Sequence, residues 1–260
     1  MESAGCEFEC LIVRGETTGR EHRTVPVEAP LTLSVNGQPW VTLMCTPVAR
    51  RQLALGFAYF AGLFRELEEV LLLEQCLDDP NQIRLRLKRE DVALPSHALV
   101  TSGCGQGIAF PDSLPKERVG FAPCISPERL WELMRALQQG SELHRTVGGT
   151  HASALSDGND LLAIYEDIGR HNTVDKLMGH ALLTALDTRG TILLTSGRVS
   201  SEMMYKAARM QVSLVVSRTV PTDVALGMAR QQGIGVVGYV RGRQMTAYCG
   251  ELAAEWGVPA

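Results

Sequence analysis

The chain has 260 residues, 45% apolar and 21% charged, with a formal net charge of −4. That length holds one large domain or two modest ones around an ample core, and the acidic balance excludes a nucleic-acid footprint spread over the whole surface. The opening Met1-Glu2-Ser3-Ala4-Gly5 offers no apolar leader, and no stretch reaches the roughly 18 consecutive apolar residues of a membrane span, so a cytoplasmic protein with no membrane partner is expected.

The strand and helix patterns divide the chain into 1–90, 91–125 and 126–260. Leu31, Leu33 and Val35 alternate with Thr32 and Ser34, Asn36-Gly37 marks a hairpin turn, and Trp40 to Met44 returns. A helix is expected over 48–64, ended by Gly62, and then a strand pair at 71–73 and 83–87. From 91 to 123 no period survives, as in a functional or mobile loop. Ser126-Pro127 then starts a helix as N-cap and first residue, with Leu130, Leu133, Met134 and Leu137 on one face and Gly140 at its end. Gly148-Gly149 turns into a short apolar strand at His151.

The stretch Glu166-Asp167-Ile168-Gly169-Arg170-His171-Asn172-Thr173-Val174-Asp175-Lys176 is the most informative. It leaves an apolar strand and enters a helix whose apolar residues (Val174, Leu177, Met178, Ala181, Leu182, Ala185) keep helical spacing. Its polar residues therefore lie on the strand-to-helix turn, where free N–H groups and the positive end of the helix dipole point. Strands near 191–195 and 213–217, helices near 201–211 and 221–232, and closing strands at 234–240 and 244–248 give a βαβαβ rhythm. That rhythm predicts a largely parallel sheet with helices on both faces.

Three strand ends carry similar polar corners: Glu166 to His171; Ser196-Gly197-Arg198, with Ser200, Ser201 and Glu202 at the next helix start; and Ser217-Arg218-Thr219. Open α/β sheets bind ligands at such ends, and Arg170, Arg198 and Arg218 beside three helix N-termini suit a phosphorylated ligand, such as a diphosphate. The plain alternative is solvated helix caps, with His171 a core histidine. His151 beside two glycines fits a site residue or a turn residue equally.

The seven cysteines (6, 10, 45, 76, 104, 124, 249) are odd in number and scattered, as free thiols in a reducing compartment are. No Cys-x-x-Cys, Walker A, dinucleotide fingerprint or nucleophile elbow occurs. A zinc deaminase is disfavoured because His151 is followed by Ala152-Ser153 and Pro123-Cys124 lacks a second cysteine. Cys104, in Thr101-Ser102-Gly103-Cys104-Gly105-Gln106-Gly107, is the best nucleophile candidate. Spacing does not decide whether such a thiol attacks a carbonyl, attacks a disulfide or carries sulfane sulfur, and an incidental thiol in a linker is the alternative.

Taken together, Glu28-Ala29-Pro30-Leu31, Leu53-Ala54-Leu55-Gly56-Phe57, Gly148-Gly149-Thr150-His151-Ala152, Glu166–Lys176, Ser196-Gly197-Arg198 with Glu202-Met203, and Val237 to Gly242 resemble the formate dehydrogenase accessory sulfurtransferases, the FdhD-type family. The resemblance runs from about Glu28 to Tyr248. It implies a cytidine-deaminase-like α/β layered sheet plus a smaller N-terminal β-containing portion, and a homodimer. It implies further that persulfide sulfur is accepted from a cysteine desulfurase and passed to the molybdenum or tungsten of a bis-pyranopterin guanine dinucleotide cofactor bound for the formate dehydrogenase catalytic subunit. On that resemblance Cys104 is the sulfur-bearing residue. The cofactor-binding residues are His151, Glu166, Asp167, Gly169, Arg170, His171, Asn172, Asp175, Lys176, Ser196, Gly197, Arg198, Ser217 and Arg218; no metal is ligated directly. The family loop commonly carries Cys-Gly-x-Cys-Gly, whereas here Cys104 stands alone, so a relay between two cysteines in this loop is excluded. A binding chaperone that transfers no sulfur is the alternative reading.

Overall fold

Two ten-residue strands, β1 (Gly5–Arg14) and β2 (Thr17–Pro26), form an antiparallel ribbon that pairs with no other strand among the described residues. The computed structural model describes residues 3–95, 99–100, 114, 118–119 and 125–250. Cys104 and Cys124 lie outside the described residues, as does most of the 91–125 segment. Cys6, Phe8 and Cys10 alternate with Glu7 and Glu9 in β1, but β2 carries no such pattern and most residues of the ribbon are exposed, so the sequence reading did not single it out.

The next sheet has the order β5-β6-β3-β4-β7. Its strands are β3 (Ala29–Val35), β4 (Gln38–Cys45), β5 (Val70–Gln75), β6 (Gln82–Leu87) and the two-residue β7 (Leu99–Val100). Asn36 and Gly37 both have positive φ, 48° and 81°, as a two-residue hairpin turn requires. Leu31, Leu33, Val35, Leu43, Ile83 and Leu85 turn inward onto helix α1 (Arg50–Phe60). That helix is shorter than the expected 48–64. Ala49 is left-handed at φ 55°, so the helix begins after it, and Gly62 at φ 78° turns the chain away beyond its end.

Helix α2 (Pro127–Gly140) starts as its sequence dictates, with the Ser126 hydroxyl accepting from Arg129 N–H and Pro127 at the first position. The short α3 (Glu142–Thr146) follows directly. The remaining elements are β8 (His151–Ser156), β9 (Leu161–Asp167), α4 (Arg170–Thr184), β10 (Ile192–Thr195), α5 (Ser201–Arg209), β11 (Leu214–Ser217), α6 (Asp223–Gln232), β12 (Gly235–Arg241) and β13 (Gln244–Cys249). They build a six-stranded sheet of order β13-β12-β11-β10-β8-β9.

This sheet corrects the expectation of a largely parallel one. Only β10–β11 and β11–β12 run parallel, while β8–β9, β8–β10 and β12–β13 are antiparallel. The βαβαβ rhythm reports the crossovers through α5 and α6, but it says nothing of β8, which enters the sheet between β9 and β10 by a hairpin. Helices do cover both faces. Val174, Leu177, Met203, Met204 and Ala225 of α4, α5 and α6 pack on one face with Leu155, Leu193, Val215 and Val236. Leu130, Leu133, Met134 and Leu137 of α2 pack on the other with Ala154, Leu194, Val216 and Val237. The layered α/β class with a smaller N-terminal β portion stands. No helix among the described residues is long and apolar enough to cross a membrane.

The N-terminal portion meets this sandwich through α1 against α4. A Cβ on Gly56 would lie 1.9 Å from the Asp175 carbonyl oxygen, and one on Gly179 would lie 1.9 Å from that of Gln52. The two backbones thus approach as closely as only glycine permits.

Candidate functional site

Sheet register gathers the three polar corners. β8 runs antiparallel to both β9 and β10, aligning His151 with Asp167 and Ser153 with Thr195. β11 runs parallel to β10, aligning Thr195 with Ser217. The ends of β9, β10 and β11 and the start of β8 therefore share one edge, the arrangement expected of a ligand site in an open α/β sheet.

Asp167, Asn172 and Lys176 do not face outward on that edge. Asp167 is fully buried and forms an ion pair of 2.6 Å with Lys176 Nζ, itself fully buried. Lys176 uses its other donors on Thr46 Oγ1 and the Glu166 carbonyl, each at 3.0 Å. Asp167 Oδ2 also accepts from Thr46 N–H (3.2 Å) and Oγ1 (2.9 Å), and Oδ1 accepts from Gly169 N–H and Asn172 Nδ2, both at 2.9 Å. Asn172 donates again to the Met44 carbonyl. Thus the end of β4 is tied to the end of β9 and the start of α4. The Glu166 carboxylate accepts from Leu143 and His144 N–H, at 2.9 and 2.7 Å, and so caps α3.

Asp175 is equally internal: it pairs with Lys206 Nζ at 2.8 Å, both side chains being 1% exposed. Lys206 also reaches Glu202 at 3.3 Å and lies over the Phe60 ring. In this structure internal partners hold the polar groups of Glu166, Asp167, Asn172, Asp175 and Lys176. Their work is to fix the corner.

The outward set is His151, Arg170, Ser196, Gly197, Arg198 and Arg218. A Cβ on Gly197 would lie 2.9 Å from Arg170 Cβ and 3.5 Å from His151 Nδ1, so this glycine lets the arginine stem and the imidazole close over the β10 turn. Ser196 Oγ accepts from Ala152 N–H at 3.0 Å and lies 3.3 Å from His151 Nδ1. The buried Ser217 hydroxyl donates to the Gly197 carbonyl at 2.7 Å and pins the same turn. A hydroxyl chain, Thr173–Ser153–Thr195, runs beneath it to Gly197 N–H.

Arg170 and Arg218 each bury an Nε that has no hydrogen-bond partner among the described residues, and Thr150 likewise buries its hydroxyl. Burial, then the neighbouring Arg198 charge, lowers the Arg170 pKa from its usual range. Burial also lowers His151, reinforced by Arg170 and His144. His171 lies 3.2 Å from Ser200 Oγ and 3.4 Å from Glu202 through Nε2, and burial first, then Lys206 and Arg170, pushes it down to about 2. Cationic groups held together with unmet donors are suited to an anion. Helices α5 and α6 are capped by Ser200 and Thr222, whereas α4 begins after Gly169 with no side-chain cap. A cleft of about 180 Å³ opens beside the edge, lined among others by His144, Thr150, His151, Ser196 and Arg218.

Residues 26–254 match the pattern of the FdhD/NarQ family. The chain belongs to this family. Among curated members, the sulfur carrier protein FdhD of Bacillus subtilis is 35% identical over 240 residues, covering 90% of this chain and 91% of its own. The protein of the same name from Shouchella clausii is 36% identical over 231 residues, covering 85% and 86%. A crystal structure of a candidate formate dehydrogenase accessory protein from Desulfotalea psychrophila superposes with a TM-score of 0.80 at 23% identity, over 96% of this chain and 98% of that one, and shows the same fold.

In this FdhD/NarQ-family chain, sequence reasoning missed Thr46, His144 and Lys206, whereas Ser200 lay within the second polar corner and Thr150 within the Gly148–Ala152 motif. One signal was present for Lys206: a charge between Met203-Met204 and Ala207-Ala208, inside an apolar stripe, needs a buried counter-ion.

Proposed function

We propose that this protein is a sulfur carrier. It takes persulfide sulfur from a cysteine desulfurase and delivers it to a molybdenum or tungsten bis-pyranopterin guanine dinucleotide, its substrate, on the way to the formate dehydrogenase catalytic subunit. The observation that carries this reading is the match, over most of both chains, to relatives that are named sulfur carrier proteins. The unmet guanidinium donors of Arg170 and Arg218, beside Arg198 and the glycine-opened β10 turn, support a diphosphate-bearing ligand at this edge.

In this scheme the Cys104 thiolate attacks the outer sulfur of the desulfurase persulfide. A new S–S bond forms on Cys104, and the desulfurase thiolate leaves. Arg170, Arg198 and Arg218 hold the diphosphates, while His151 and Ser196 line the approach. The protein acts as a homodimer in the cytoplasm. A non-catalytic cofactor-binding chaperone is the second reading, favoured by the single cysteine between Thr101 and Gly107.

The test is intact mass after incubation with a cysteine desulfurase, cysteine and pyridoxal phosphate. The expected result is a gain of one sulfur, about 32 Da, mapped to Cys104 and absent from Cys104→Ala. No gain, with a desulfurase shown to be active, favours the chaperone.

A further inference from the structure

His171 sits in the first turn of α4, between Arg170 on the ligand edge and a buried charge chain that sequence reasoning did not anticipate. Its Nε2 faces two oxygens, Ser200 Oγ at 3.2 Å and Glu202 Oε2 at 3.4 Å. Glu202 is held in turn by Lys206 at 3.3 Å, and Lys206 by the buried Asp175 at 2.8 Å. Ser200 Oγ also accepts from Met203 N–H as the α5 cap. The charged and titratable groups around the imidazole are thus Glu202 and Lys206 of α5, Asp175 and Arg170 of α4, and His151 of β8.

An ionised carboxylate only accepts. An unprotonated Nε2 would set its lone pair 3.4 Å from that charged oxygen, whereas the positive end of an Nε2–H is drawn toward it. We infer that Glu202 is a positioning residue for His171: anchored by Lys206 and Asp175, it draws the ring proton to Nε2 and leaves Nδ1 as an unprotonated acceptor. Because the buried ring stays neutral, it carries no second proton to place on Nδ1. A neutral acceptor beside Arg170 complements it: the guanidinium supplies donors and charge, and an unprotonated Nδ1 can take an N–H or O–H of a ligand. The tautomer assignment stands on the free protein alone; its consequence for binding rests on the cofactor reading above.

The test is long-range ¹H–¹⁵N NMR of the full chain labelled at histidine nitrogens, with His171 assigned through His171→Gln. The wild type shows the Nε2–H tautomer. In Glu202→Gln the carboxamide turns its NH₂ toward Nε2, and the ring shifts wholly or partly to Nδ1–H; Ser200→Ala leaves it on Nε2. A wild-type Nδ1–H ring, or no change in Glu202→Gln, overturns the inference. Guanosine diphosphate is the binding probe. Its affinity falls about tenfold in Glu202→Gln, equivalent to about 1.4 kcal/mol. Unchanged affinity despite a switched tautomer overturns the binding role, and no binding to the wild type overturns the cofactor reading while sparing the tautomer.

Discussion

Lys176 has three donors and three buried acceptors, from Asp167, Thr46 and the Glu166 backbone. Removing one partner of a buried pair strands the other, which typically costs about 3–5 kcal/mol. Lys176→Met is therefore expected to lose that much by urea denaturation, and a loss under 1 kcal/mol would contradict the cage. His171 gives the pH dependence. Its folded pKa, about 2, lies below the unfolded 6.5, so its contribution is complete above pH 6.5 and is lost as pH falls. Asp175 works in the opposite sense, because burial raises it from 3.8 to about 6 and the folded state keeps its proton longer. The two offset each other between pH 4 and 6, so the wild type alone hides both. The stability difference between wild type and His171→Gln isolates the histidine and is expected to shrink between pH 7 and 5, by at most about 1.4 kcal/mol per unit below 6.5. A difference constant with pH would show that the ring titrates normally.

Helices α1 and α4 cross where Gly56 and Gly179 each face the other's backbone. A methyl 1.9 Å from a carbonyl oxygen cannot be absorbed by rotating a side chain, so the helices must separate. Gly56→Ala and Gly179→Ala are each expected to cost about 3 kcal/mol or more, against the usual gain from Gly to Ala within a helix. Thermal midpoints at or above wild type would refute the close crossing. Element identity was largely readable here. The Ser126-Pro127 start and the Asn36-Gly37 turn each need a specific backbone geometry that those residues supply. Strand direction was not readable, since nothing local in His151–Ser156 says which neighbours it will pair with. The solvated β1–β2 ribbon keeps only the short Cys6–Cys10 alternation, and its largely exposed β2 supplies no matching pattern to pair it with.

Across the whole molecule, the Glu166–Lys176 stretch does two jobs that its sequence runs together. Gly169 and Arg170 lie at the proposed ligand edge, while Asp167, Asn172, Asp175 and Lys176 lock β4, β9, α4 and α5 beneath it. Sequence located the corner but not this division, because an unpaired surface charge and a buried paired one look alike until the partners, Thr46 and Lys206, are brought in from distant segments. The same bonds join the N-terminal sheet to the sandwich. Amide hydrogen exchange is expected to show α1 and α4 protected to the same free energy, and earlier opening of α1 would show that the two portions unfold separately.

The edge itself is tested most directly by calorimetric titration of guanosine diphosphate into the wild type and into Arg170→Ala, Arg218→Ala and the double variant. Binding that weakens at least about tenfold for each single change, and is abolished in the double, is expected where charge-assisted bonds are each worth about 1.5–3 kcal/mol. Binding unchanged in a folded double variant would place the ligand elsewhere and contradict the assignment of this edge.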